Sequence, residues 1–297
     1  MRLIETYGGV KHVGYTIAGR FVFAETFLHS CTLHMRDLAN GNKFWSAKLR
    51  ERSHLWFMLP AGLFAAAGLS GTTIFRLLDD RFEAITTLGD WQVNERHPAS
   101  FSANGRFGAW FSRPRVDTPH QILWQEIQHM KNAGAFQPCV HIEVLQFSDD
   151  GKLLIAAGGR MLTAWSIESK ESVAVWQAPA SAFVSQTGPN YRFLACSTDG
   201  TYCCIGMTNH CFLWEPGTGQ IRFEMARRFK AAAFSSDSRL LALAFGYRTE
   251  IWELDPLRSL KVYEWPIEDI SCIAFAPDGL TMAAGGRGGV VMWDLDM

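Results

Sequence analysis

Long apolar runs are missing from this chain. No stretch reaches the roughly eighteen apolar residues that a membrane-spanning helix needs. The opening residues, MRLIETYGGVKHVGY, contain no apolar h-region, so no secretory signal is read there. Excess charge is missing too: Lys and Arg total 28 against 29 Asp and Glu, a net charge of −1. That balance gives no global pull toward nucleic acid or an anionic membrane. Seven cysteines, an odd number without a C-x-x-C pair, argue against a disulfide framework and for a reducing, cytoplasmic setting. Most lie in apolar runs such as TYCCIGM, where a thiol packs as a small hydrophobe; the alternative is a metal cluster of Cys203, Cys204 and Cys211. Nine histidines form no H-E-x-x-H or similar ligand pair, and no G-x-S-x-G nucleophile elbow occurs. No catalytic residue, metal or cofactor is expected.

What the chain does have is a repeat. Over 297 residues, 48% of them apolar, one small signature recurs: an aromatic or other apolar residue, three residues, then Gly or Ser. It reads YTIAG at 15–19, MLPAG at 58–62, FSANG at 101–105, FSDDG at 147–151, CSTDG at 196–200, FSSDS at 234–238 and FAPDG at 275–279. The starts are spaced by 43, 43, 46, 49, 38 and 41 residues, a period that means a repeat architecture. Fourteen residues beyond the Gly or Ser stand Trp165, Trp214, Trp252 and Trp293; earlier copies offer Phe75, Trp124 and, most weakly, Met35. Inside each copy an apolar run ends in the Gly turn, a second run follows, a Gly-bearing turn leads to a third, and a polar link such as EPGTGQ leads to a fourth. Gly, Asn and Asp accept the positive φ of tight turns, so these are strands joined as hairpins. No helical period interrupts them, and inner strands such as LIAAG and LALAFG are apolar on both faces.

Four-stranded sheets repeated along a whole chain form a propeller. The copies resemble WD repeats, with the dipeptide itself at Trp293–Asp294 and looser forms at Trp165, Trp214 and Trp252. The resemblance implies an all-β, seven-bladed propeller of four-stranded antiparallel blades, a single domain over residues 1–297. It also implies that the ring is closed by an N-terminal strand, RLIETY at 2–7, pairing with the last blade. The family's Gly-His dipeptide is absent, as is its usual Asp before the Trp strand, and Ala157 and Ala284 occupy positions where it often has Ser or Thr. Its buried His–Ser–Asp–Trp network is therefore not carried over, and the tryptophans are expected to act as packing anchors.

By the same analogy the turns between second and third strands share a face with the links from blade to blade. That face collects Arg160, Arg248 and Arg287, and the long third copy (AWFSRPRVDTPHQILW) adds Trp110, Phe111, Arg113 and Arg115. Aromatics and Arg are typical of binding hot spots, so these seven residues are the candidate partner-binding set; the competing reading is a drifted hairpin with its aromatics in the core. The opposite face collects Asp79, Asp80, Asp150, Asp199, Asp237, Asp255, Asp278 and Asp294, diluted by Arg20, Arg106 and Lys152. GGRGG at 285–289 lacks the Lys-Ser/Thr and helix of a phosphate loop and is read as a turn. The function expected is a non-catalytic scaffold, monomeric by itself, for a protein or peptide, acidic or phosphorylated, with no nucleic acid and no membrane. The alternative is a propeller enzyme, a hydrolase or lyase at the mouth of an axial channel, for which only His141 and Glu143 can be nominated.

Overall fold

The computed structural model describes residues 1–27, 30–37, 43–49, 54–68, 71–78, 81–88, 98–112, 120–128, 131–138, 141–182 and 191–296. Apart from two single turns of 3-10 helix, the regular structure is antiparallel strand. Five sheets are four-stranded meanders, over 54–88, 99–136, 144–177, 191–225 and 231–264. The first sheet in chain order has six strands and joins 2–49 to 268–294, so the four-stranded sheets are the second to the sixth.

Seven blades are expected from the repeat count; the structure has six. The difference lies in the first and last copies, which share one sheet. The strand Arg2–Tyr15 is long enough to pair on both sides: Arg2, Leu3 and Ile4 face Met292, Val291 and Val290, and its C-terminal half pairs with Phe21–Phe27. Gly9 faces Thr26 on one side and Arg287 on the other, so one strand, with register shifts between Glu5 and Gly9 and between Val10 and His12, pairs with both copies. The facing strand Thr281–Asp294 bends at Gly288 and Gly289, where φ is 92° and 150°, and Leu295 N–H donates to Leu280 O at 2.7 Å.

The signature turns owe their shape to one short motif. Ser148 N–H donates to Leu153 O, Gly151 N–H donates back to Ser148 O, and Gly151 takes a positive φ of 73°. The buried Ser148 hydroxyl accepts from Leu153 N–H at 3.0 Å and donates to Asp150 Oδ1 at 2.6 Å, and Asp150 in turn accepts from Lys152 N–H. Ser197 with Asp199, Ser235 with Asp237 and Ser102 with Asn104 repeat the arrangement. A buried hydroxyl with no partner would cost about 1–3 kcal/mol; here each donates and accepts. All seven signature positions, Gly19, Gly62, Gly105, Gly151, Gly200, Ser238 and Gly279, have positive φ.

The chain divides into two compact units, 1–89 with 230–297, and 90–229. In the second unit Trp165 is buried and stacks on Phe136 of the preceding sheet at 5.3 Å, while the fully buried Trp214 packs with Leu162, Ala164 and Trp176. In the first unit Trp293 lies on Trp265 at 4.2 Å and near Tyr263 at 5.6 Å. The third-strand Trp of one sheet thus meets the outer strand of the sheet before it, or the residue just past that strand. Trp252 differs, being only half-buried, with Nε1 donating to Glu250 at 3.3 Å. Trp124, Trp214 and Trp293 bury an indole N–H that has no partner among the described residues, so they hold the sheets together by packing.

Candidate functional site: a groove beside an uncharged edge strand

The fourth sheet ends in the strand Ser172–Gln177, sequence SVAVWQ. Alternation directs Trp176 inward, onto Phe212 of the next sheet at 4.9 Å, and leaves Val173 and Val175 51% and 54% exposed. It is the last strand of its sheet, so its outer edge carries a row of backbone groups that pair with no described strand. Such edges are normally protected from strangers by charge. The outer strands Phe82–Leu88, Lys131–Phe136, Gln220–Met225 and Leu257–Glu264 each contain at least one charged residue, as does Lys43–Leu49. Ser172–Gln177 contains none.

Beside this strand lies a groove of about 870 Å³ within residues 104–217. Phe107, Trp124, Leu153 and Ile167 line it, and Val173 joins it to the edge strand. Its charges are balanced in pairs: Arg106 Nε to Glu126 at 2.9 Å and Lys152 Nζ to Asp150 at 3.1 Å, with Glu168 and Lys170 on the hairpin turn before the strand. Lys170 holds a φ of 61° in that turn. Burial raises the Asp150 pKa, but the Ser148 hydroxyl and the Lys152 amide and ammonium outweigh it and hold the carboxyl below its ordinary range. The neighbouring Asp149 is different: burial first, then the Asp150 charge, push it up to about 6.

The described members of the set expected to bind a partner differ in exposure and in what they touch. Phe111 is 2% exposed and belongs to the core with Ile122 and Trp124, while Trp110 is half-buried in the same strand. Burial places Phe111 out of a partner's reach. Arg113 and Arg115 lie outside the described residues. Arg160 is exposed but bound at home, with Nε and Nη2 both donating to Ala178 O at 3.0 and 2.8 Å. Arg248 pairs with Glu264 at 2.6 Å, and Arg287 lies 4.0 Å from Glu268. Arginines were visible in the turns, but the acids beside Arg248 and Arg287 come from other strands, Leu257–Glu264 and Glu268–Phe275.

Glu143 is a brace: it accepts from Gly159 N–H at 3.2 Å and from Tyr191 N–H at 3.3 Å, tying the fourth sheet to the start of the fifth. His141 packs edge-on against Phe111 and His120 at 5.1 and 5.7 Å. Cys203 and Cys204 are fully buried, with Cys196 Sγ 3.8 Å from Cys203 and Cys211 Sγ 3.5 Å from Cys204; burial drives both thiols well above their usual pKa, the state of inert packing residues. Among the described residues no group of three or more His, Cys, Asp or Glu could hold a metal ion, and no helix is long and apolar enough to cross a membrane.

The uncharged edge strand was missed from sequence, although counting charges in each fourth strand would have found it. No curated protein matches the chain. Residues 256–294, however, match the family model for the WD domain, G-beta repeat. Together with the four-stranded antiparallel blades, that match identifies a β-propeller carrying a WD40 repeat.

Proposed function

We propose that the protein is a non-catalytic scaffold that binds an extended segment of a partner protein along Ser172–Gln177, the segment adding a strand to the fourth sheet. WD40 propellers typically serve as protein-interaction scaffolds and are generally non-enzymatic. The observation that carries this site is the edge itself, two exposed valines with no charge among six residues. Backbone pairing supplies affinity in this mode, and alternate side chains supply specificity. The adjoining groove, apolar with paired charges of both signs, suits side chains from an amphipathic segment. A photo-crosslinking residue at Val175 should capture a partner polypeptide in the native cell, while the same residue at Val262, exposed on the charged strand Leu257–Glu264, should not. Equal capture at both positions would contradict the site.

A second reading concerns an acidic or phosphorylated segment at the basic turns. Lys230, Arg287 and Lys11 all act on Asp269, and Arg287 is 75% exposed, which favours an anion there. Loss of binding in Arg287→Ala, together with weakening as salt rises, would support this reading; binding that ignores both would exclude it.

A further inference from the structure

A cavity of about 650 Å³ lies where the first and last copies share their sheet. Three departures from the repeat converge on it. Six residues after each signature start the copies have Phe21, Phe64, Phe107, Leu153, Tyr202 and Leu240, but the last has the small Thr281. One residue after the start, copies three to six have the serine that hydrogen-bonds the turn's Asp or Asn; the last has Ala276. Asp278 therefore keeps the Leu280 N–H at 2.9 Å but has no hydroxyl at position 276 to satisfy it. At the start itself the other copies carry Met58, Phe101, Phe147, Cys196, Phe234 and Phe275, whereas the first carries a hydroxyl on Tyr15.

Tyr15, Ala276, Asp278, Thr281 and Asp294 all line the cavity. Tyr15 is 6% exposed, and its buried Oη has no hydrogen-bond partner among the described residues. Burial raises its pKa, the Thr281 side chain lowers it, and the charges of Asp278 and Asp294 add to the rise. Trp293 Nε1 is also unpartnered, but Trp124 and Trp214 share that property, and it does not mark this cavity. Arg2 is the one basic side chain in the lining, against two carboxylates, and Ile17 at the mouth is 72% exposed.

From these features we propose that the cavity binds an ammonium or guanidinium group on an apolar stem. The cation donates to Asp278, to Asp294 and to Tyr15 Oη, and the stem lies against Ile17 in space that a large residue fills in the other copies. Charge-assisted hydrogen bonds of this kind are the strong ones. The site is separate from the edge strand Ser172–Gln177 and does not rest on the function proposed for it.

Calorimetric titration of the full chain with butylamine, butylguanidine and the peptide acetyl-Ala-Arg-Ala-amide tests this, with pentanol as the uncharged counterpart. Binding of the small cations but not of the peptide identifies a free amine or guanidine as the ligand class; binding of the peptide identifies a basic side chain. Thr281→Leu, which restores the residue of the fourth and sixth copies, should keep the fold and weaken the cation about tenfold or more, as should Asp278→Asn. The proposal is overturned if pentanol binds as well as butylamine, if Thr281→Leu binds unchanged, or if none of the cationic probes binds.

Discussion

Asp149 is a carboxyl whose protonation is set by burial. Its pKa is about 6 in the folded protein against an ordinary 3.8, so between those values the folded state holds a proton that the unfolded state has released. The associated stability is fully present below about pH 4 and is lost as pH rises through about 6. Asp149→Asn should therefore stabilise the protein at pH 7.5, on the order of 2 kcal/mol, and have little effect at pH 3.5. Urea unfolding at the two pH values checks this, and an equal effect at both would refute it. The tryptophans separate at the same scale. Trp214 is fully buried and Trp252 half-buried, so Trp214→Ala should cost roughly 3–5 kcal/mol and Trp252→Ala clearly less, read from denaturation midpoints. Turn residues were legible because their causes are local: a positive φ calls for Gly, and a Ser hydroxyl two residues before Asp closes the loop it belongs to. Phe111 was not, since whether an aromatic in a strand faces core or partner depends on register, and the neighbouring Trp110 reads the same in sequence.

Among the strands, the outer ones differ in how they are protected, and the difference is a prediction. Val173→Lys with Val175→Lys would give Ser172–Gln177 the charge its counterparts already have. Exposed substitutions cost little, within about 0.5 kcal/mol each, so the melting temperature should hardly change while the partner captured from Val175 is lost. An intact complex in this variant would place the interface elsewhere. The strands themselves were readable, because alternation and apolar inner runs are properties of a few neighbouring residues. The ion pairs of the arginine turns were not. Arg248 meets Glu264 and Arg287 meets Glu268 only after the chain has gone through a further strand or link, and a tally of turn residues sees one partner of each pair.

For the molecule as a whole the blade count is the instructive error. Seven signature turns are present, yet the copies holding Gly19 and Gly279 share one sheet, because Arg2–Tyr15 pairs on one side with the distant Arg287–Met292 and on the other with the nearby Phe21–Thr26. The pairing of residues 2–7 with the last copy was expected from the family resemblance; that the same strand goes on to pair with Phe21–Phe27, merging two copies into one sheet, was not. Deleting residues 1–8 should remove the partners of Val290, Val291 and Met292 and expose an apolar edge, giving earlier melting and aggregation; shortening the turn EPGTGQ should be milder. Scattering and thermal melts of the two deletions decide it. The central claim, that a partner segment is added to the fourth sheet, is tested most directly by amide hydrogen exchange across the full chain with the captured partner bound and free. Protection should rise in Ser172–Gln177 and stay unchanged in Leu257–Glu264. Exchange in Ser172–Gln177 that is the same in both states would contradict the account.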